Sequence, residues 1–194
     1  MVKLILASKS PRRQALLQDM GFSFEVRVRD VEESFPPTLN PSEAVEHIAQ
    51  KKAEAFQDLS DQHLILTADT IVVIEGEILG KPRDEQDAIH MISKLSGRTH
   101  EVLTACCIYY QKNFHKILDV TQVTFRELLP GEITHYVHTY RPLDKAGSYG
   151  IQEWIGTIGI TSIQGSYQNV VGLPTAKVYD ALVKLGLTPL NHGK

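Results

Sequence analysis

Cysteine is scarce in this 194-residue sequence, which contains only Cys106 and Cys107. Adjacent residues of a strand point to opposite faces of a sheet, so this pair suits neither a disulfide framework nor a zinc site. A disulfide-stabilised secreted domain is therefore excluded as a class. A reducing, cytoplasmic compartment is expected.

Long apolar segments and an excess of basic charge are also missing. No apolar run approaches the roughly 20 residues that span a bilayer, and residues 2–7 are too short for the apolar part of a signal peptide. The formal net charge is −3, which argues against a polynucleotide partner. The sequence therefore predicts a soluble, cytoplasmic protein that binds neither membrane nor polynucleotide.

Alternating strand and helix patterns are what the sequence does contain. Ser10 as N-cap and Pro11 at the first helical position predict a helix directly after an N-terminal strand. The dipeptide Glu75-Gly76 predicts a hairpin, whereas two short strands and a last helix after Pro174 are expected near the end. The whole pattern predicts an α/β fold with a mixed sheet, and residues 1–194 are expected to form one domain.

Two arginines occupy the first turn of the predicted N-terminal helix. The helix macrodipole is positive there, so Arg12 and Arg13 cost roughly 0.3–1 kcal/mol each unless an anion is near. A bound anion would remove this conflict, and Ser8 would add a hydroxyl donor in the same turn. The alternative is a pair of solvated arginines, one of them paired with Asp19 or Glu33.

Two further charges interrupt apolar patterns. Lys52 lies in the apolar stripe of a helix predicted over residues 42–56, where it needs an anion or must extend to the surface. Asp69 interrupts the apolar strand predicted over residues 64–74, and a strand is a rigid platform for a catalytic base. The alternative for Asp69 is a structural ion pair, for example with Lys81.

A phosphate site and a metal site are also indicated. Lys81, between Gly80 and Pro82, suits phosphate as a point charge, although Pro82 excludes a Walker A loop. Glu33 and Asp69 are candidate metal ligands, because Mg²⁺ takes a few carboxylates and completes its shell with phosphate oxygens and water. A solvated acidic loop is the alternative for Glu33.

Eight segments between Leu4 and about Leu185 together carry a family resemblance. They are Leu6-Ala-Ser-Lys-Ser-Pro-Arg-Arg13, Glu33, Ala49-x-x-Lys-Ala53, Ala68-Asp-Thr70, Gly80-Lys-Pro82, Leu95-Ser-Gly-x-Thr-His100, Lys145-Ala-Gly-Ser-Tyr-Gly-Ile-Gln152 and Val171-Gly-Leu-Pro174. In order and spacing they resemble the Maf family of nucleoside triphosphate pyrophosphatases. The resemblance implies an elongated mixed sheet flanked by helices, two lobes with a cleft between them, and a homodimer.

The resemblance also implies a site. It implies activity with Mg²⁺, Mn²⁺ or Co²⁺, and it matches Ser8, Arg13, Lys52 and Lys81 to the family's phosphate-binding residues, with Lys52 and Lys81 also counted as catalytic. The substrate implied is a nucleoside triphosphate.

Catalysis and selectivity are assigned through the same resemblance. Glu33 and Asp69 match the acidic catalytic and metal-associated positions, Asp69 being the proton acceptor. Arg12, Thr70 and Gln152 match the subgroup that prefers dTTP and UTP, rather than a sister subgroup acting on 7-methyl-GTP.

The predicted reaction is hydrolysis of dTTP, UTP and some modified pyrimidine triphosphates to the nucleoside monophosphate and pyrophosphate. Water would attack the α-phosphorus with assistance from a metal. Two alternatives are a nucleotide-binding regulator of septum formation without turnover, and a purine pyrophosphatase of the ITP type.

Overall fold

The computed structural model describes residues 2–59 and 61–189. Its strands are β1 Lys3–Leu6, β2 Phe24–Val26, β3 His63–Ile74, β4 Glu77–Leu79, β5 Thr99–Tyr110, β6 Asn113–Phe125 and β7 Ile160–Gln164. Its helices are α1 Pro11–Asp19, α2 Pro41–Glu54, α3 Glu85–Leu95, α4 Pro130–Tyr140, α5 Trp154–Gly159, α6 Tyr167–Val171 and α7 Thr175–Lys184, with 3₁₀ turns at Gln57–Leu59 and Ala146–Ser148. Across these two ranges, no helix is both long and apolar enough to cross a membrane.

The described strands form one mixed seven-stranded sheet. The order is β2-β1-β3-β5-β6-β7, and β4 pairs with β3. Strand β1 is parallel to β2 and β3, whereas the β3–β4 and β6–β7 pairs are antiparallel. The predicted hairpin is confirmed, because Glu75 and Gly76 have φ angles of 50° and 81°, as a tight hairpin turn requires. The α/β fold with a mixed sheet and flanking helices is therefore confirmed.

The chain divides into two compact units. The first contains the residues up to Asp69, Thr104–Asp119 and the residues from Gly172 onward. The second contains Thr70–Leu103 and Val120–Val171. The expectation of one domain over residues 1–194 stays a prediction.

In the first unit, side chains cover both faces of the sheet. One face packs α1 and α7 against the strands through Leu4, Leu6, Leu17, Leu64, Leu66, Val178 and Leu182. On the opposite face, Thr67 Oγ1 donates to the Ala49 carbonyl at 2.6 Å, which places α2 there. Because strand residues alternate in direction, Asp69 points to the same face as Thr67 and α2.

In the second unit, an aromatic cluster surrounds a buried histidine. The ring of His100 stacks on Phe125 at 5.6 Å and meets the edge of Tyr149 at 5.4 Å. His100 Nε2 lies 2.7 Å from the Tyr149 hydroxyl. Burial lowers the pKa of His100 to about 4, because a charged imidazole would lose its hydration here.

Strand β6 begins earlier than the sequence pattern predicts. The alternation of apolar residues predicts a strand from Val120, whereas β6 begins at Asn113. The β5–β6 turn is formed by Gln111 and Lys112 with φ angles of 47° and 64°. Neither residue type favours positive φ, so the sequence carries no turn signal at this point.

The segment before α7 also differs from expectation. The prediction of two short strands there is wrong, because one strand, β7, lies between the short helices α5 and α6. Glycines at 156 and 159 disfavour a helix by propensity. Gly156 is nevertheless required by packing, because an added Cβ would overlap the Ile151 carbonyl.

We expect acid to destabilise the fold through His100. The unfolded residue binds a proton near pH 6.5, and the folded residue only near pH 4. Its stabilising contribution is fully present above pH 6.5 and is lost as the pH falls to about 4, by up to about 3 kcal/mol. Urea unfolding at about pH 7.5 and about pH 5 measures this loss. The variant His100→Asn should lose this part of the pH dependence of stability. The control His115→Asn, at an exposed position, should keep it. Equal pH dependence in the two variants would contradict the assignment to His100.

Candidate active site

An ion pair links α2 to β3 on one face of the sheet. Lys52 lies one helical turn after Ala49, and Asp69 lies two residues after Thr67. The Thr67–Ala49 and Lys52–Asp69 contacts therefore follow from one alignment of α2 along β3. Lys52 Nζ donates to Asp69 Oδ1 at 2.6 Å. The Lys52 side chain is 16% exposed and that of Asp69 is 13% exposed, so the pair is largely shielded from water but still accessible to a ligand. The two charges that interrupt apolar patterns therefore neutralise each other.

A second carboxylate shares the same ammonium group. Glu33 Oε1 lies 2.8 Å from Lys52 Nζ, and its side chain is 43% exposed. Glu33 belongs to an irregular segment after β2, so it reaches Lys52 from a loop and not from the sheet. Lys52 is thus the cation that brings both acidic candidates to one point.

The turn between β1 and α1 has the geometry that its sequence predicts. Ser10 caps the helix, since its side chain accepts the Arg13 amide hydrogen at 3.4 Å. Ser8 Oγ accepts the Ser10 amide hydrogen at 3.2 Å and Arg13 Nη1 at 3.4 Å. Arg13 Nε donates to the Gly172 carbonyl at 2.8 Å. Ser8 and Arg13 are therefore held together beside the amide groups of the first helical turn.

The charge of Arg13 is coupled to the two carboxylates. Burial lowers the pKa of the Arg13 guanidinium, whereas the negative charges of Asp69 and Glu33 act in the opposite direction. The nearby Arg12 also lowers the pKa of Arg13. The first unit therefore brings together five predicted site residues: Ser8, Arg13, Glu33, Lys52 and Asp69.

The turn with Ser8 and Arg13 follows the carboxyl end of β1, and Asp69 lies within β3, three residues past the last residue that pairs with β1. Leu6 is paired with Leu66, and the Ala7 amide donates to the Leu66 carbonyl at 2.9 Å. The turn that follows β1 therefore begins level with the part of β3 that leads to Asp69. This edge of a parallel sheet is where ligands bind in open α/β folds.

The acidic pair fits a divalent metal that also contacts a ligand. Among residues 2–59 and 61–189, no group of three or more His, Cys, Asp or Glu side chains could hold a metal. Glu33 and Asp69 supply two carboxylates within reach of one ammonium. Mg²⁺ accepts such a donor set when phosphate oxygens and water complete its coordination.

Two other predicted residues flank this cluster in the sequence. Arg12 is half-buried in the first turn of α1. Thr70 is half-buried in β3, and strand alternation turns its side chain to the face opposite Asp69. The roles assigned to Arg12 and Thr70 stay predictions.

Lys81 lies in the second unit, on an exposed segment with a fixed backbone. The Gly80 carbonyl accepts the Gly147 amide hydrogen at 3.1 Å, and Pro82 is buried. Gly147 has a φ of 65°, and an added Cβ would lie 2.8 Å from a methyl carbon of Val72. The backbone before Lys81 is therefore fixed by its contact with Gly147, a position where only glycine fits against Val72. The phosphate-binding role of Lys81 stays a prediction.

Gln152, also in the second unit, is exposed on a turn. The Glu153 amide donates to the Gly150 carbonyl at 3.0 Å. The Tyr136 hydroxyl accepts the Gly150 amide hydrogen at 3.0 Å and donates to the Glu153 carboxylate. Lys145, which is buried, pairs with Glu153 at 3.1 Å. Both ends of the turn are thus fixed, and the Gln152 amide projects from it.

The sequence did not reveal the residues that hold this turn. Tyr136 comes from α4 and lies 17 positions from Glu153 in the chain. Neither residue breaks a local pattern, so no periodicity or propensity could identify the contact. A buried lysine needs an acidic partner, but the burial of Lys145 is seen only in the structure.

Comparison with known proteins gives a consistent family assignment. The profile of the family described as Maf-like protein matches residues 3–185. A protein of Flavobacterium psychrophilum named dTTP/UTP pyrophosphatase is 53% identical over 178 residues, which is 91% of each chain. A protein of Phocaeicola vulgatus with the same name is 49% identical over 94% of this chain and 96% of its own.

A solved structure supports the fold. The structure of a HAM1 protein from Coxiella burnetii matches with a TM-score of 0.50 over 95% of this chain and 100% of that chain. The two sequences are 14% identical, so this likeness concerns the fold alone.

We expect Lys52→Met to destabilise the protein. Without the ammonium group, Asp69 keeps a largely buried negative charge with no cation at hydrogen-bond distance, at an expected cost of about 1–3 kcal/mol. Lys51→Met is the matched control, since Lys51 Nζ donates to Ser34 Oγ at 3.3 Å. The control should change the free energy of unfolding by less than about 0.5 kcal/mol. Urea unfolding measures both, and equal losses would show that the Lys52–Asp69 pair adds nothing.

Proposed function

This chain belongs to the Maf family, and on that premise we propose that it hydrolyses dTTP, UTP and some modified pyrimidine triphosphates to the nucleoside monophosphate and pyrophosphate. One observation carries the proposal. Relatives named dTTP/UTP pyrophosphatase are 47–53% identical over at least 91% of this chain. The cluster of cations and carboxylates in the first unit supplies the chemistry that such a reaction needs.

Binding of the polyphosphate follows from charge. A nucleoside triphosphate carries about four negative charges, which must be offset before water can approach phosphorus. Arg13 and Ser8 already meet beside the α1 N-terminus, where phosphate oxygens would bind. The Lys52 ammonium has three N–H donors, and Asp69 and Glu33 engage two of them. The third is available to a phosphate oxygen, and we assign Lys81 the same role.

Asp69 is assigned as the proton acceptor. Its carboxylate sits on a strand and is oriented by Lys52, as a general base requires. In the proposed step Asp69 accepts the proton of a water molecule whose oxygen bonds to the α-phosphorus. The bond from that phosphorus to the bridging oxygen breaks, and pyrophosphate leaves with the electron pair.

Glu33 and Asp69 would hold the divalent metal, for which we propose Mg²⁺, Mn²⁺ or Co²⁺. Two carboxylates that already share one cation are suited to share a second cation that arrives with the substrate. When bound, such an ion supplies positive charge that stabilises the charge developing on phosphate oxygens.

Recognition of the base is assigned to Gln152, with Arg12 and Thr70. A carboxamide both donates and accepts hydrogen bonds, so Gln152 can distinguish the edges of different bases. Its exposed position on a turn with fixed ends supports this assignment.

We further propose a cytoplasmic homodimer that binds no polynucleotide. The compartment is supported by Cys106 and Cys107, two buried thiols whose pKa values burial raises to about 12, as suits a reducing environment. The dimer is supported by the family resemblance, and light scattering on the purified protein would test it. The net charge of −3 gives no attraction to nucleic acid.

A panel of nucleotides tests the proposed substrate. Purified protein is incubated with Mg²⁺ and dTTP, UTP, CTP, ITP or 7-methyl-GTP, and released pyrophosphate is assayed. We expect kcat/KM for dTTP and UTP to exceed the other values by about tenfold or more. A preference for ITP would instead favour the purine pyrophosphatase. Nucleotide binding without pyrophosphate release would favour the regulator of septum formation.

The role of Asp69 is tested by Asp69→Asn. This change keeps the shape of the side chain and an oxygen for Lys52, but it removes the basic carboxylate. We expect kcat to fall about 10²- to 10⁴-fold while the protein stays folded. The matched control is Asp119→Asn, because Asp119 pairs with Lys177 at 2.7 Å in the same unit and is 16% exposed, close to the 13% of Asp69. Full activity of Asp69→Asn would refute the assignment.

A further inference from the structure

The segment that carries Glu33 has no regular structure to hold it. Residues 27–40 contain neither helix nor strand, and most of their side chains are exposed. A carboxylate on such a segment would sample many positions unless specific contacts fix the backbone on both sides of it.

Arg29 makes contacts of three kinds with the end of α2. Its Nη1 donates to the carbonyl of Ala55, the C-cap residue, at 2.5 Å. Its guanidinium also donates to both carboxylate oxygens of Asp58, at 2.6 and 2.9 Å. Its Cζ atom lies 4.7 Å from the centre of the buried Phe56 ring. A planar guanidinium held by a carboxylate, a carbonyl and a ring has a defined orientation.

Loop residues that follow Arg29 contact α2 at positions progressively nearer to its N-terminus. Glu33 meets Lys52, and Ser34 Oγ accepts from Lys51 at 3.3 Å. Phe56 follows Lys52 by four residues and lies just past the C-cap Ala55. The loop is thus joined at three successive points to the last turn of α2 and the residues that follow it, and Glu33 is the middle one.

We propose that Arg29 is a positioning residue for Glu33. Arg29 fixes the loop to the helix end that carries Lys52. The loop and the helix end then hold a constant relative position, which sets the distance between Glu33 and Lys52. An exposed ion pair alone contributes little, but Arg29 adds a helix-terminal carbonyl and an aromatic face to its bidentate pair. The inference rests on the proposed function, because that function makes Glu33 a metal and catalytic residue.

Arg27 provides a matched control two residues earlier. Its guanidinium donates to Glu25 Oε2 at 2.6 and 3.1 Å, and both side chains are exposed. This pairing is confined to β2 and the residue next to it in the loop. Arg27→Ala therefore removes the same charge and a contact in which two guanidinium donors meet one carboxylate, without loosening the contact with α2.

The first experiment compares Arg29→Ala with Arg27→Ala by dTTP hydrolysis at increasing Mg²⁺. For Arg29→Ala we expect kcat to fall about tenfold to a hundredfold, and the Mg²⁺ concentration for half-maximal rate to rise. The KM for dTTP at saturating Mg²⁺ should change less than kcat, because Arg13 and Lys52 remain. Arg27→Ala should match the unchanged protein. Asp58→Asn is a milder change at the same contact and should show the same defect to a smaller degree. It replaces Arg29→Ala in the comparison if Arg29→Ala does not fold.

The second experiment is independent of turnover. Amide hydrogen exchange of residues 30–36 should become at least about tenfold faster in Arg29→Ala, or in Asp58→Asn, and stay unchanged in Arg27→Ala. Equal exchange in the Arg29 and Arg27 variants would overturn the positioning role. Faster exchange with unchanged kcat and Mg²⁺ dependence would overturn it as well. An unchanged protein that releases no pyrophosphate would refute the proposed function, while the exchange comparison would still decide whether Arg29 fixes the Glu33 loop.

Discussion

The Lys52 ammonium, held between Asp69 and Glu33, is the interaction on which the site depends. Two neighbouring carboxylates repel each other unless a cation lies between them or one of them takes up a proton. Arg13 and Arg12 lie nearby as well, so three positive charges stand against two negative ones. Under the proposed function, a divalent metal held by Glu33 and Asp69 would add further positive charge, and triphosphate binding would then be tied to metal binding.

The macrodipoles of α1 and α2 act in opposite directions on the basic residues that these two helices carry. In α2, Lys51 and Lys52 occupy the last turn, where the macrodipole favours cations. In α1, Arg12 and Arg13 occupy the first turn, where it disfavours them. The last turn of α2 therefore itself favours Lys52, whereas Arg13 in α1 is held by contacts outside its helix, such as the Gly172 carbonyl to which it donates.

Two candidate site residues were recognisable in the sequence because each broke a local rule. Lys52 in an apolar helix stripe and Asp69 in an apolar strand were identifiable because burial of each charge is costly. Their mutual pairing was not predictable, since it depends on the register of α2 over β3, which Thr67 and Ala49 reveal. Arg29 broke no rule, and its partners are 26 and 29 positions away. The fold was predictable where caps and turns had suitable residues, and not at the turn formed by Gln111 and Lys112.

The residues assigned to charge compensation and the turn that carries Gln152 are held by separate sets of contacts. Apart from Lys81, the first group lies in the first unit, where ion pairs hold Glu33, Lys52 and Asp69 and hydrogen bonds hold Ser8 and Arg13. Gln152 lies in the second unit, on a turn ordered by the Tyr136 hydroxyl and a backbone hydrogen bond. The Lys52–Asp69 register is set by α2 and β3 alone, so a change at Gln152 leaves it intact. This separation holds for Gln152 alone, because Arg12, which is also assigned to base recognition, lies in the first unit next to Arg13.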